Sequence, residues 1–311
     1  MSLYELVSLK QLLIKSIEPQ PAIDQLLILR DNIHNIKNLV SVSFDNEIFI
    51  DTTVDYYNNL INLAQQPLAE LTKKIDAINT QINEITHRLF YNNYELEELY
   101  SSVENDRIAR KIHIGKEVED IIRQRIWINT NWKYPALEIG CRDGEWTREM
   151  VAADPLYVVD HHHEFLNAAV KQFTPEYQRR IRPYHLNNHD LSILPQDQFG
   201  FIFSWGYFNY VSIDTIKKYL QQIMKLLRPG GLFLFSYNDG DTPTGAAMAE
   251  SFSQTYLPKS ALILLCQSMG FKIENVIDPA NGISLLEIKR PGTLRTIKAH
   301  QVLGEMKRRE I

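Results

Sequence analysis

Residues 136–147 read ALEIGCRDGEWT, a short apolar run that breaks into a glycine turn and then into residues able to open a helix near Glu145. Glycines suit such a turn, because a side chain would keep a ligand from the backbone amides and the strand-to-helix bend can demand positive φ. Gly140 and Gly144 alone are weak evidence. Twenty residues past Gly140 the run PLYVVD ends on Asp160, where a carboxylate can accept both hydroxyls of a bound ribose. That spacing makes the pair much stronger than either part.

Working outward, the chain after about Trp132 alternates short apolar runs with helical stretches: YPALEIG, PLYVVD, RIRPYHL, FGFIFSW, GLFLFSY, FKIENVID and GISLLEIK. Strands alternating with helices predict a βαβ sheet.

Upstream the periodicity is different. Leu68, Leu71, Ile75, Ile78, Ile82, Ile85, Leu89, Leu96, Leu99 and Val103 step by three and four, interrupted at Asn92. This heptad seam predicts one helix of about 50 Å that pairs as a coiled coil or helical hairpin, with packing on its own domain as the alternative. Asn92 on the seam would seek a partner amide. Leu26, Leu29, Ile33, Ile36 and Val40 repeat the spacing after Pro19 and Pro21. Alternation over Val40, Val42 and Phe44, then Ile48 and Ile50, about Asp45-Asn46-Glu47 suggests a small hairpin. The expected division is 1–66 helical with that hairpin, 67–118 the long coiled-coil helix, 119–292 the α/β domain, and 293–311 a basic helix or tail.

The bulk composition is ordinary: 311 residues, 44% apolar, 23% charged, net charge −5. It argues against a disordered chain and against a strongly basic nucleic-acid binder. No apolar run nears the roughly 20 residues of a membrane span, and the start MSLYELVSLKQLL is broken by Glu5 and Lys10. Cys141 and Cys266 are too few for a disulfide framework. A cytoplasmic, unprocessed chain is expected.

The α/β half resembles the class I S-adenosylmethionine-dependent methyltransferase family. The residues that carry the resemblance are Glu138-Ile139-Gly140-Cys141-Arg142-Asp143-Gly144, Asp160, His189-Asp190-Leu191, Phe199 to Val211 and Leu227-Arg228-Pro229-Gly230-Gly231. It covers about residues 134–290 and implies a Rossmann-like seven-stranded domain closed by an antiparallel hairpin, behind a mainly α-helical coiled-coil region. It implies S-adenosylmethionine as cofactor, with Glu138 near its methionine end, Gly140 and Gly144 backing it, Asp160 on the ribose, Asp190 at the adenine amino group and Leu191 beside the ring. His161 would border the adenine pocket, and Ser204 would end the strand facing the cofactor. Two positions depart from the pattern. Arg142 replaces a glycine, where it could be solvated or pair with the cofactor carboxylate, and Gly200 stands where the family often has Asp.

Methyl transfer from a sulfonium is an in-line displacement, so the protein chiefly supplies alignment and a proton acceptor for a hydroxyl nucleophile. His189 could be that base, with Tyr207 and Asn209 the other catalytic candidates and Tyr210, Asn238 and Asp239 further substrate-facing groups. Ser204-Trp205-Gly206-Tyr207 lacks the Asn/Asp-Pro-Pro-aromatic motif of base-flipping amino methylation. Neither cysteine is placed as the nucleophile of cytosine C5 chemistry. His161-His162-His163 cannot converge on one ion as consecutive residues, so no metal is expected. The reading is an enzyme that O-methylates a small-molecule or glycan acceptor, oligomerised or docked through its coiled coil. Loss of residues 1–110 is expected to leave a folded monomer. The competing classes are an assembly protein that kept the fold without turnover, and a nicotinamide oxidoreductase, disfavoured because no G-x-G-x-x-G is present.

Overall fold

The computed structural model describes residues 1–17, 24–25, 27–32, 44–105, 115–278 and 283–292, with the side chains of 44–50, 52 and 64 left aside. These residues form two compact units, Met1–His87 and Arg88–Ile311.

The first unit opens with α1, Leu3–Ile17, which buries Leu3, Leu6 and Val7. It also holds most of α2, Phe44–Leu99, a single helix of 56 residues, about 84 Å at 1.5 Å per residue. Residues 44–50, expected as the end of one hairpin strand, the turn at Asp45-Asn46-Glu47 and the second strand, are helical. Three alternating positions set a strand only weakly. The near strand of that hairpin, Leu26, Ile33, Ile36 and Val40 of the earlier seam, and the basic segment 293–311 lie outside the described residues. Along α2 the seam is the sheltered face, with Ile61, Ile78, Ile82, Leu89 and Leu96 buried.

The last turns of α2, from Arg88, belong to the second unit. Here the seam drifts by one residue. Asn93 is buried and Asn92 only half-buried, while Leu99 is exposed and Tyr100 turns inward. A straight helix gains about 20° per heptad against a 3.5-residue repeat, so the buried stripe becomes Leu89, Asn93, Leu96, Tyr100. This stretch packs on the α/β domain. The Asn93 side chain accepts from Tyr256 N at 2.7 Å and donates to Tyr256 O at 3.0 Å, and Tyr100 meets Tyr210 edge-on at 5.0 Å.

The second unit continues with α3 (Lys116–Asn129), β1 (Ala136–Ile139), β2 (Leu156–Asp160), α4 (His163–Lys171), β3 (Ile181–His185), β4 (Phe199–Ser204), α5 (Ile213–Leu226), β5 (Leu227–Asn238), α6 (Pro243–Glu250), α7 (Lys259–Ser268), β6 (Lys272–Ile277) and β7 (Ile283–Lys289). The seven strands lie in the order β3-β2-β1-β4-β5-β7-β6. The first five are parallel, and β7 runs antiparallel to both β5 and β6. This is the Rossmann-like sheet with closing hairpin expected from the sequence.

Side chains alternate across the strands, so each strand feeds two cores. Leu137, Ile139, Ile202, Phe233 and Phe235 pack with Ile216, Tyr219, Leu220 and Ile223 of α5. Ala136, Phe201, Phe203 and Leu234 pack on the other face with Ile122 and Ile126 of α3 and Leu166 and Ala169 of α4. Burial of both faces explains why these strands read as continuous apolar runs. Arg125 of α3 reaches across to the fully buried Glu287 of β7 through Nε and Nη2, a two-pronged ion pair that ties helix to closing strand.

Candidate active site

The carboxyl ends of β2, β3 and β4 and the last turn of α2 enclose a cavity of about 320 Å³, within the range of small-molecule sites. Its polar lining is Glu97, Ser101, Asp160, His161, Asn188 and His189, with Tyr100, Tyr207, Tyr210 and Val211 beside them. In doubly wound sheets ligands bind at this end of the strands.

The turn after β1 is built as its glycines suggested. Gly140 has φ of 72° and Gly144 of 85°. A Cβ on Gly144 would stand 1.8 Å from Gln172 Nε2 and 2.9 Å from the Ala169 backbone, so glycine is required by both conformation and space. Arg142 also takes a left-handed φ, 47°, which costs a non-glycine residue about 1 kcal/mol or more. What it gains is visible: its amide donates to Asp160 Oδ2 at 3.0 Å, while His162 N donates to Oδ1 at 3.0 Å. The Arg142 guanidinium lies 5.9 Å over the Phe165 ring.

Asp160 is 2% exposed and opens onto the cavity. A carboxylate offers about four acceptor positions, and the two backbone donors leave capacity for ribose hydroxyls. Glu138 is buried beneath the turn and accepts from Thr147 Oγ1 at 2.5 Å. Burial pushes its pKa up to about 8, helped by Asp160 and Glu145 and opposed by the Thr147 hydroxyl.

The second polar group is a chain of rings. His161 Nε2 lies 2.7 Å from Tyr207 Oη, His189 Nδ1 lies 3.1 Å from the same oxygen, and Tyr219 Oη stands 2.9 Å from it. On the other side of the ring, His189 Nε2 meets Glu97 Oε1 at 3.2 Å. Asn188 and His189 take φ of 52° and 60°, a tight reversal that turns the His189 ring toward the cavity.

The remaining candidates stand elsewhere. Asp190 is exposed and accepts from Ser192 N and Oγ. Leu191 is fully buried in the core, its amide held by Gln222 Oε1 at 2.6 Å. Ser204 donates to Ile139 O at 2.8 Å, stitching β4 to β1. Asn209 is 1% exposed, donates to Gln254 Oε1 and accepts from Ser236 Oγ. Asn238 donates through Nδ2 to Gly245 O and Thr255 O, and Asp239 accepts through Oδ1 from Asp241 N and Lys259 N, while Asn238 Oδ1 and Asp239 Oδ2 are buried without a hydrogen bond. Gly200, the other departure from the family pattern, has a packing reason, since a Cβ there would come within 2.9 Å of Tyr134 Cβ.

Glu97, Tyr100, Ser101 and Asn188 were not found by sequence reasoning. Three of them sit in or just after a helix whose pattern spoke only of self-association. Among the described residues no cluster of His, Cys, Asp and Glu could hold a metal ion. His163 instead stacks flat on His185 at 3.8 Å.

The family described as "Methyltransferase domain" matches residues 137–233. No curated protein matches the chain. Among solved structures, an S-adenosylmethionine-dependent methyltransferase from Mesorhizobium loti is 16% identical, with 55% of this chain and 97% of that one covered and a TM-score of 0.46. One from Aquifex aeolicus is 13% identical, at 59% and 97% coverage and a TM-score of 0.45. Geranyl diphosphate C-methyltransferase from Streptomyces coelicolor is 8% identical, at 56% and 80% coverage and a TM-score of 0.47. The β3-β2-β1-β4-β5-β7-β6 sheet and the glycine turn after β1 make a Rossmann-like fold, and residues 137–233 within it match the methyltransferase-domain family.

Proposed function

We propose that the protein is an S-adenosylmethionine-dependent methyltransferase that methylates a hydroxyl of a small-molecule or glycan acceptor. S-adenosylmethionine is the cofactor of class I methyltransferase domains and supplies a methyl group on a positively charged sulfur. The residues present suit it: Asp160 keeps acceptor capacity at the cavity edge, and the turn from Gly140 to Gly144 brings backbone close. The observation that carries the oxygen acceptor is the alignment of Glu97, His189 and Tyr207 on the cavity wall. The Tyr207 hydroxyl would hand its proton to His189 Nδ1 as it takes the acceptor's, and S-adenosylmethionine, held by Asp160 and the turn, would supply the methyl group to the acceptor oxygen. A positioned base of this kind is worth about 10²- to 10⁴-fold.

A second reading, a methyltransferase fold kept for assembly without turnover, is favoured by one feature. Gln172 fills the space beside Gly144, donating to its carbonyl at 2.8 Å. Self-association through the seam of α2 fits either reading, and two buried thiols suit a cytoplasmic setting. No helix among the described residues is long and apolar enough to cross a membrane.

Calorimetric titration with S-adenosylmethionine and S-adenosylhomocysteine, beside NAD as control, separates the readings. Micromolar binding of the first two supports the enzyme, and no binding of either moves the conclusion to the assembly protein.

A further inference from the structure

Glu97 belongs to no element of the methyltransferase sheet. It stands in the last turn of α2, yet its carboxylate is held by groups from two other segments. Oε2 accepts from Ser212 N at 2.7 Å, and Oε1 accepts from Thr215 Oγ1 at 2.8 Å and lies 3.2 Å from His189 Nε2. Ser212 and Thr215 are the cap and first turn of α5, where the helix dipole favours an anion. Three donors from separate places thus fix a side chain that on an open helix surface would be free to rotate.

Resting on the methyl-transfer reading, we propose that Glu97 is a positioning residue that locks His189 in the tautomer with its proton on Nε2, so that the Nδ1 lone pair faces Tyr207 and the cavity. The argument is one of donors and acceptors. An ionised carboxylate only accepts, and Glu97 is ionised at neutral pH. Burial pushes its pKa up, but the bonds from His189, Ser212 and Thr215 outweigh that and hold it at about 2. The ring nitrogen facing it must therefore carry the proton, because a lone pair there would point at negative charge. In a neutral imidazole the other nitrogen is then an acceptor. Nδ1 lies 3.1 Å from Tyr207 Oη and 3.4 Å from Tyr219 Oη, both able to donate. With the Tyr207 proton directed to Nδ1, His161 Nε2 at 2.7 Å completes the row by donating to the Tyr207 oxygen. An acid that orients a histidine, whose far nitrogen then works on a hydroxyl, is the arrangement of orienter and base seen in activated nucleophiles generally.

The backbone that carries the ring is also held. Gln222 donates to His189 O at 2.8 Å and accepts from Leu191 N at 2.6 Å.

The test uses the full chain labelled with ¹⁵N-histidine, because imidazole nitrogen shifts distinguish a protonated nitrogen from a lone pair. The expected result at neutral pH is a proton on Nε2 in the wild type. Glu97→Gln keeps its oxygen for the Ser212 amide, which can only donate, and so turns an NH₂ toward Nε2 and the Thr215 hydroxyl, which can accept, so the two nitrogen shifts exchange in whole or in part. Thr215→Val removes a different donor to Glu97 and leaves the shifts as they are. If Glu97 only capped α5, both variants would lower Tm and neither would move the tautomer. A proton on Nδ1 in the wild type, or the same pattern in wild type and Glu97→Gln, overturns the proposal without any assay of activity. Exchange of the shifts in a protein that fails to bind S-adenosylmethionine overturns the methyl-transfer reading instead and leaves the positioning of His189 standing.

Discussion

The side chain of Asn93 satisfies both main-chain groups of Tyr256, donating to its carbonyl and accepting from its amide, 163 residues away in sequence. The Phe90 ring adds an edge contact with the Tyr256 ring at 5.9 Å. Replacing Asn93 with Ala leaves a buried donor and acceptor without partners, at about 1 to 3 kcal/mol each. Urea denaturation of Asn93→Ala should show a loss of at least about 2 kcal/mol, and a loss below about 0.5 kcal/mol would show that water replaces the amide.

The same contacts set where the chain can be cut. Removal of residues 1–110, expected from the sequence to leave a folded domain, also removes Leu89, Asn93, Leu96 and Glu97, which are packed or bonded within the second unit. A chain starting at Arg88 should remain folded with a cooperative transition, whereas one starting at residue 111 should aggregate or melt well below it. Light scattering on the longer fragment tests the coiled coil as well, since a monomer is expected once residues 1–87 are gone.

Two carboxylates, one buried and one half-buried, tilt stability with pH in opposite directions. Glu138 has a folded pKa of about 8 against a reference of 4.5, so the folded chain binds the extra proton. Its contribution is present in full below about 4.5 and is lost as pH rises through about 8. Glu97, held at about 2 against 4.5, contributes above about 4.5, and that contribution is lost as pH falls through about 2. Glu138→Gln should therefore gain stability over wild type at about pH 9 and show little gain at about pH 4. A gain of equal size at both values removes the burial argument.

Asp160 holds the turn through two amides, and in the proposed function it also holds the ribose. Asp160→Ala should weaken S-adenosylmethionine binding on the order of 1.5 to 3 kcal/mol, about ten- to a hundredfold. It should also free the Arg142 and His162 amides, seen as faster hydrogen exchange at both. Unchanged affinity by calorimetry removes the ribose assignment, whatever the amides do.

What the sequence made legible follows from period and spacing. The strands announced themselves because both faces of the sheet are buried, and the glycine turn because Gly140 and Gly144 take positive φ, with Asp160 legible as the end of the next strand. The reversal at Asn188 and His189 was harder. A run NNHD signals a turn, but which of its side chains faces the cavity depends on two left-handed residues, and the structure brings His189 inward and leaves Asp190 in solvent. Glu97 gave no signal of any kind. Beside a seam of leucines a glutamate reads as a solvated flank, and only the fold brings it to the start of α5 and to His189. Self-pairing was read from the same seam, part of which is used up within the chain.

The position of β7 bears on how the protein is made. It enters the sheet between β5 and β6 and brings Leu285, Leu286, Ile288 and the partner of Arg125. Until the ribosome has synthesised residue 289, β5 has its apolar run from Leu232 to Asn238 along an open margin, and α3 lacks the carboxylate that anchors it. An open apolar strand is a template for another chain. The nascent protein therefore passes through a stage in which most of the sheet can exist and its most adhesive strand is bare, so dependence on chaperones should concentrate there and end abruptly when β7 is released.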